Sequence, residues 1–327
     1  MDDVRPSIDA QSHRFLDQLR RTIRQRGLSY STEKTYVYWA ARFIRHSGMR
    51  HPAHMGPDEV TAFLNHLASS EHCSSNTQRI ALNALVFLYE RHLDAELGPL
   101  PFRYAQKRRR MPTVLTHEDA ITVISNLTAP HQLIASLMYG SGLRLSEALN
   151  LRIKDLDFAQ QQLTVRDGKG GNERMTLLPG KLYETLQAQI DSAAALHTYD
   201  LDCGKGSVFM PDALARKYPR AATQLQWQFL FPSDRLSRDP RDGTLRRHHK
   251  HISSVQRAVT KAIRRSGISR RASSHTFRHS FATRLIETGY DIKLVQSLLG
   301  HRDIRTTEIY LHVVRNRGGA IVSPMDD

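Results

Sequence analysis

The sequence predicts a mainly α-helical chain of two domains with a small β-hairpin in the second. Three observations carry that prediction. Apolar residues recur at helical spacing from Phe15 to about His92, with glycines closing the first runs. A proline-bounded basic stretch, from Gly98-Pro-Leu-Pro101 to Pro112, then interrupts the periodicity. Beyond it, two short strand-like runs flank a glycine-rich turn, Val165-Arg-Asp-Gly-Lys169-Gly-Gly-Asn-Glu-Arg174. At 327 residues the chain is long enough for each domain to hold its own core.

Residues 1–98 form the first domain. Phe15, Leu16, Leu19 and Ile23 make a stripe between Ser12 and Arg26, set among arginines and ended by Gly27. A second helix from Ser31 to His46 turns Tyr36, Ala40 and Phe43 inward, and Gly48 closes it. Gly56-Pro57-Asp58 starts a third, carrying Val60, Phe63, Leu64 and Leu67, and a fourth runs from about Asn76 to His92. Four such helices make a small all-α domain. Residues 99–112 read as a linker whose Lys107, Arg108, Arg109 and Arg110 are either a solvated tether or a phosphate contact.

The second domain, 113–327, opens at Thr116-His-Glu-Asp119 with a helix bearing Ile121, Ile124 and Leu127, followed by a helix over Leu133–Tyr139. Gly140 and Gly142 permit a tight turn that presents Arg144 at a helix start. Strands are expected at Leu163–Arg166 and Met175–Leu178, then a helix from Leu182 to Leu196. Residues 198–251 read as an inserted segment. The stretch from Ser274 to His312 is three short helices, broken at Gly289 and Gly300, with Asp291 and Asp303 as caps. Phe277, Phe281 and Leu285 enter the core, whereas His275 and Arg278, three apart, share another face. The breaks bring His275, Arg278, His301 and Tyr310 together. Two imidazoles, a guanidinium and a phenol are poor core material, and they suit phosphoryl chemistry.

Composition narrows the partners. Lysine and arginine number 47 against 32 acidic residues, a net charge of +15, which favours a polyanion and nucleic acid first. Cys73 and Cys203 lie far apart, so neither a disulfide framework nor a zinc ribbon is expected. The polar, acidic start from Met1 to Ala10 is unlike a signal peptide, and no apolar run reaches membrane length. A reducing, cytoplasmic setting with no membrane partner is the expectation. His248, His249 and His251 have no carboxylate or cysteine at ligand spacing, so no metal is expected there.

His275-x-x-Arg278, Leu299-Gly300-His301 and Tyr310 nine residues later resemble the second signature box of the tyrosine recombinases. Gly140-Ser-Gly-Leu-Arg144-Leu-Ser-Glu147 resembles the first box, and Lys169 the lysine carried on a hairpin between them. The resemblance covers nearly the whole chain. It implies a helical core-binding domain and a mixed α/β catalytic domain that cut and rejoin DNA. Arg144 and Arg278 would grip the scissile phosphate with planar forks of donors. Tyr310 would attack phosphorus, forming a 3′-phosphotyrosyl link and expelling a 5′-hydroxyl. His275 is expected to act as base, Lys169 as general acid, and His301 as a hydrogen-bond donor to the phosphate. No cofactor is implied, because the phosphotyrosyl link keeps the energy of the broken bond. Synapsis of two sites would take four protomers, with residues 320–327 docking on a neighbour. Each residue also has a plainer reading: Arg144 paired with Glu147, Lys169 as turn decoration, His275 as a cap, Tyr310 as a core phenol.

Two details place the chain within the family. Leu214-Ala-Arg-Lys-Tyr-Pro219, Trp227 and the Arg246-Arg247-His248-His249 run resemble the insertion of the integron integrases, which act on gene-cassette sites folded from a single strand. Unstacked bases would need flat surfaces, and Trp227, Pro232, Pro240, His248 and His249 beside Arg246 and Arg247 are the candidates. The plainer reading of Trp227 and Phe231 is that they anchor the insertion. Ser146-Glu147-Ala148 looks more like the Xer enzymes, and Leu311 replaces the threonine common after the nucleophile. The alternatives are an Xer-like or phage-type recombinase on duplex sites, a helical DNA-binding regulator, and a type IB topoisomerase.

Overall fold

In a computed structural model the chain divides into two units, Met1–Arg110 and Met111–Asp327. The structure describes residues 6–9, 11–102, 104–105, 112–166, 173–210 and 212–316. Lys107, Arg108, Arg109, Arg110, Lys169 and the expected docking tail at 320–327 lie outside the described residues.

The first unit is built from α1 (Phe15–Gln25), α2 (Tyr30–His46), α3 (Pro57–Ser69) and α4 (Ser75–Phe87). Their starts are fixed by caps. The Ser29 and Ser74 hydroxyls accept the Thr32 and Thr77 N–H groups, and the Glu59 carboxylate accepts the Gly56 N–H ahead of Pro57. Leu19, Ile23, Phe43, Phe63, Leu64, Leu67 and Leu85 are fully buried, each contributing roughly 1.5–3 kcal/mol. The fourth helix differs from expectation. It is α-helical only to Phe87, and Leu88–Leu93 continue as a wider π-turn ending on Asp94 in the left-handed region. That turn keeps Leu88 and Tyr89 in the core.

In the second unit, α5 (His117–Ser125) is capped by Thr116, and α6 (His131–Ser141) and α7 (Leu145–Asn150) follow. Strands β1 (Leu156–Asp157), β2 (Gln162–Arg166) and β3 (Glu173–Leu177) form an antiparallel sheet in that order. Leu163 pairs with Thr176 and Val165 with Arg174. β3 therefore starts before the expected Met175, because the paired hairpin stem extends toward its turn. Helix α8 (Tyr183–Asp202) runs past its expected end at Leu196 and crosses into the stretch read as inserted. That stretch adds α9 (Asp212–Lys217) and an antiparallel pair, β4 (Pro232–Arg238) and β5 (Leu245–His249).

Helices α10 (Ile252–Arg265), α11 (Ser274–Glu287), α12 (Ile292–Leu299) and α13 (Arg305–Asn316) complete the unit. The Asp291 carboxylate caps α12 by accepting the Lys293 and Leu294 N–H groups. Two glycines place the site. Gly142 has φ +66°, and a Cβ there would lie 2.5 Å from the Phe281 ring, so the turn after α6 packs directly on α11. Gly300 has φ +65° and lies against the Arg174 side chain. Among the described residues no helix is long and apolar enough to cross a membrane.

Candidate active site

Glu147, in the first turn of α7, is the point on which the arginines gather. Its carboxylate accepts the Arg144 backbone N–H at 2.8 Å and the Arg144 Nη1 at 2.6 Å. Arg174 on β3 donates Nη1 at 3.0 Å and Nη2 at 2.6 Å to its two oxygens. Arg278 Nη1 stands 3.5 Å away. Burial works to raise the Glu147 pKa, but the Arg174 hydrogen bond and charge outweigh it and hold the carboxyl at about 2.

Arg278 is buried on α11 and donates to the carbonyls of Gly142 at 2.7 Å and Leu299 at 2.5 Å. Burial, then the charge of Arg144, brings its pKa down to about 10. The guanidinium is thus locked to the turn after α6 and to the end of α12. The Arg144 side chain is 38% exposed, which leaves it free to address an incoming anion. Arg174 is tied by Nε to the Leu298 carbonyl at 2.9 Å.

Tyr310 on α13 is 3% exposed and packs with Phe281, Ala282, Val295 and Leu299. Its hydroxyl lies 2.9 Å from Nδ1 of His279, and its ring stacks on His301 at 6.5 Å between centroids. Burial raises the phenol pKa, opposed by Arg278 and Arg144. His301 Nδ1 is 2.9 Å from the Thr307 hydroxyl. Burial, then the arginine charges, hold the His301 imidazole at about 4, so it is neutral at neutral pH. His275 stands exposed in the first turn of α11.

The structure therefore brings Arg144, Arg278, His301 and Tyr310 together. It adds Glu147, Arg174 and His279, none of which the sequence reading placed in the site. The partner found for the phenol is His279 rather than His275. Spacing contained that signal, because His279 lies four residues from His275 on one helix face.

The inserted segment is organised differently. Trp227 is 9% exposed and belongs to a small core with Val208, Met210, Ala221 and Phe229. Lys154 Nζ covers its ring at 3.4 Å. The plainer reading thus describes Trp227 better than an open stacking surface does. Arg246 donates to Asp239 at 3.0 Å and to Asp242 at 2.9 and 2.6 Å. Arg247 donates to Asp200 at 2.5 and 2.8 Å and to the Ser233 carbonyl. His248 and His249 lie against Phe229, one stacked and one edge-on, and burial holds His248 at about 4. Pro232 opens β4 half-buried, and Pro240 is exposed in the turn between β4 and β5. A cavity of about 430 Å³ lies beside α9, lined by Lys217, Tyr218, Pro219, Arg220 and Trp227 among others.

Residues 113–317 match the model of the phage integrase family, and residues 15–99 that of a phage integrase N-terminal SAM-like domain. Two proteins named integrase/recombinase, from Escherichia coli and Pseudomonas aeruginosa, are each 44% identical over 98% of this chain and 96% of their own length. Among solved structures, XerH site-specific recombinase bound to palindromic difH substrate has TM-score 0.62 at 18% identity. It covers 94% of this chain and 83% of that one. A lambda integrase dimer bound to a core site has TM-score 0.59 at 17% identity, covering 95% and 98%. Both share the fold.

Proposed function

The chain belongs to the phage integrase family of tyrosine recombinases, and from that premise we propose that it moves gene cassettes as an integron-type recombinase, cutting and rejoining DNA through Tyr310. One observation carries the reading: three guanidinium groups share a single carboxylate beside a phenol. A phosphodiester is the anion such a nest lacks, and its non-bridging oxygens gain charge as phosphorus is attacked. Arg144, turning from Glu147, and Arg278 grip those oxygens. Neutral His301 donates a hydrogen bond to one of them. Tyr310 attacks, and the 5′-oxygen leaves with a proton from Lys169. His275, exposed at the start of α11, serves the phosphate, since the phenol's hydrogen bond goes elsewhere. Lys107–Arg110 follow the backbone, and four copies hold two sites in synapsis.

The integron assignment is supported by the inserted segment. With Arg246 and Arg247 held by carboxylates, the surface that suits an unstacked base is the cavity beside α9, where Tyr218 and Pro219 offer flat faces rimmed by Lys217 and Arg220. Stacking contributes ~1–3 kcal/mol per base. Tyr218→Ala should therefore weaken binding to a hairpin with unpaired bases roughly tenfold and leave a perfect duplex of equal length unaffected. Equal losses on both substrates, or none on either, would favour a phage-type or Xer-like recombinase acting on duplex sites.

A further inference from the structure

Helix α11 offers the site two histidines one turn apart. His275 sits at its exposed start, whereas Nδ1 of His279, half-buried, lies 2.9 Å from the Tyr310 hydroxyl. The neighbouring residue Arg278 faces the carbonyls of Gly142 and Leu299, and the step of about 100° between successive helix residues turns His279 in a different direction. His279 faces α13. Besides the phenol, the groups around it are His275 and Arg278 on its own helix and His301 from the turn after α12. Burial first, then His275 and Arg278, lower its pKa from the ordinary histidine value. The imidazole is therefore neutral at neutral pH, with a lone pair for a proton.

We propose that His279 is the group that accepts the Tyr310 proton as the phenol oxygen attacks phosphorus. This rests on the reading of Tyr310 as nucleophile. In cleavage the Tyr310 Oη–phosphorus bond forms and the phosphorus–O5′ bond breaks. The phenol proton passes to Nδ1 of His279, and the leaving 5′-oxygen takes a proton from Lys169. In rejoining, a 5′-hydroxyl attacks phosphorus, and the departing phenol oxygen recovers its proton from His279. The surrounding cations disfavour an imidazolium until a phosphodiester brings negative charge beside them. Activation of the nucleophile is thereby coupled to an occupied site.

The test uses the full chain and a nicked oligonucleotide carrying the strongest cleavage site that the wild type shows on supercoiled plasmid DNA. Single-turnover formation of the covalent adduct is followed from pH 6 to 9. His279→Ala and His279→Gln should bind the oligonucleotide normally yet form adduct on the order of 100-fold more slowly near pH 7, the lower range for a lost general base. The deficit should shrink as pH rises and the phenol ionises unaided. Added imidazole should recover part of the His279→Ala rate. Full activity in His279→Gln would mean that only the hydrogen bond matters. A deficit in both variants that is constant with pH and indifferent to imidazole would mean packing, and either result overturns the proposal. Tyr310→Phe runs alongside. If that variant still forms adduct, it is the nucleophile assignment that fails.

Discussion

Two regions of the second unit hold arginines, carboxylates and a histidine kept near pKa 4, and they differ in how their charges close. Around Glu147, three arginines meet one carboxylate. In the inserted segment Arg241, Arg246, Arg247 and Lys250 meet Asp200, Asp234, Asp239 and Asp242, four against four. The first is left with a surplus of positive charge. The second is neutral within itself: most of its ion pairs close the β4–β5 hairpin, and Arg247–Asp200 ties that hairpin to α8. His301 is depressed by burial and arginines, and His248 by burial against the pull of Asp239. A basic run in a sequence therefore does not locate phosphate affinity; the balance of partners does.

The contrast is sharpest in substitutions of one arginine from each region. Arg144→Ala should lower covalent cleavage on the order of 100-fold, as for a lost donor to developing charge. It should also make the log–log salt dependence of DNA binding shallower by about one. Arg247→Ala should leave both unchanged and lower the melting temperature, because it strands Asp200. If Arg247→Ala instead flattened the salt dependence, the inserted segment would be a phosphate contact and the distinction would fail.

A smaller effect tests what holds the arginine nest together. Glu147→Gln leaves three guanidinium groups around an amide, and breaking such a buried network costs ~3–5 kcal/mol. Thermal melting at pH 7 should fall by roughly 10 °C. The Glu147 carboxyl is held at about 2 in the folded chain, below its ordinary ~4.3. Its stabilisation is full above the ordinary value and lost as pH falls toward 2, so the gap between wild type and variant should narrow over that window. A gap independent of pH would mean that shape, not charge, is what Glu147 supplies.

The arginine nest around Glu147 was more legible in the sequence than the insertion, for reasons of range. Arg144 follows Gly142, whose left-handed backbone ends α6, while Gly140 lies within that helix, and His301 follows a glycine that ends α12, so their positions are set by neighbours in the chain. Arg174 was in view, but its role was not. It shares the inward face of β3 with Thr176, a period-2 relation that places both against the core. His279 was passed over because His275 and Arg278 were paired at a spacing of three, while the phenol meets the residue at a spacing of four. In the inserted segment Arg247 finds Asp200 across 47 positions. No local pattern announces such a pairing, and Arg246 and Arg247, the two cations read as available, proved to be paired with carboxylates.

The central claim is that the nest delivers a DNA phosphate to one phenol. The direct measurement is to trap the covalent adduct on a nicked oligonucleotide, digest it with trypsin, and identify the modified peptide by mass spectrometry. The account predicts a single nucleotide-bearing peptide, with the phosphate on Tyr310 joined to a DNA 3′ end. It also predicts that Tyr310→Phe yields no adduct while keeping its affinity for the oligonucleotide. A phosphate found on any other residue, or linked through a DNA 5′ end, would contradict it.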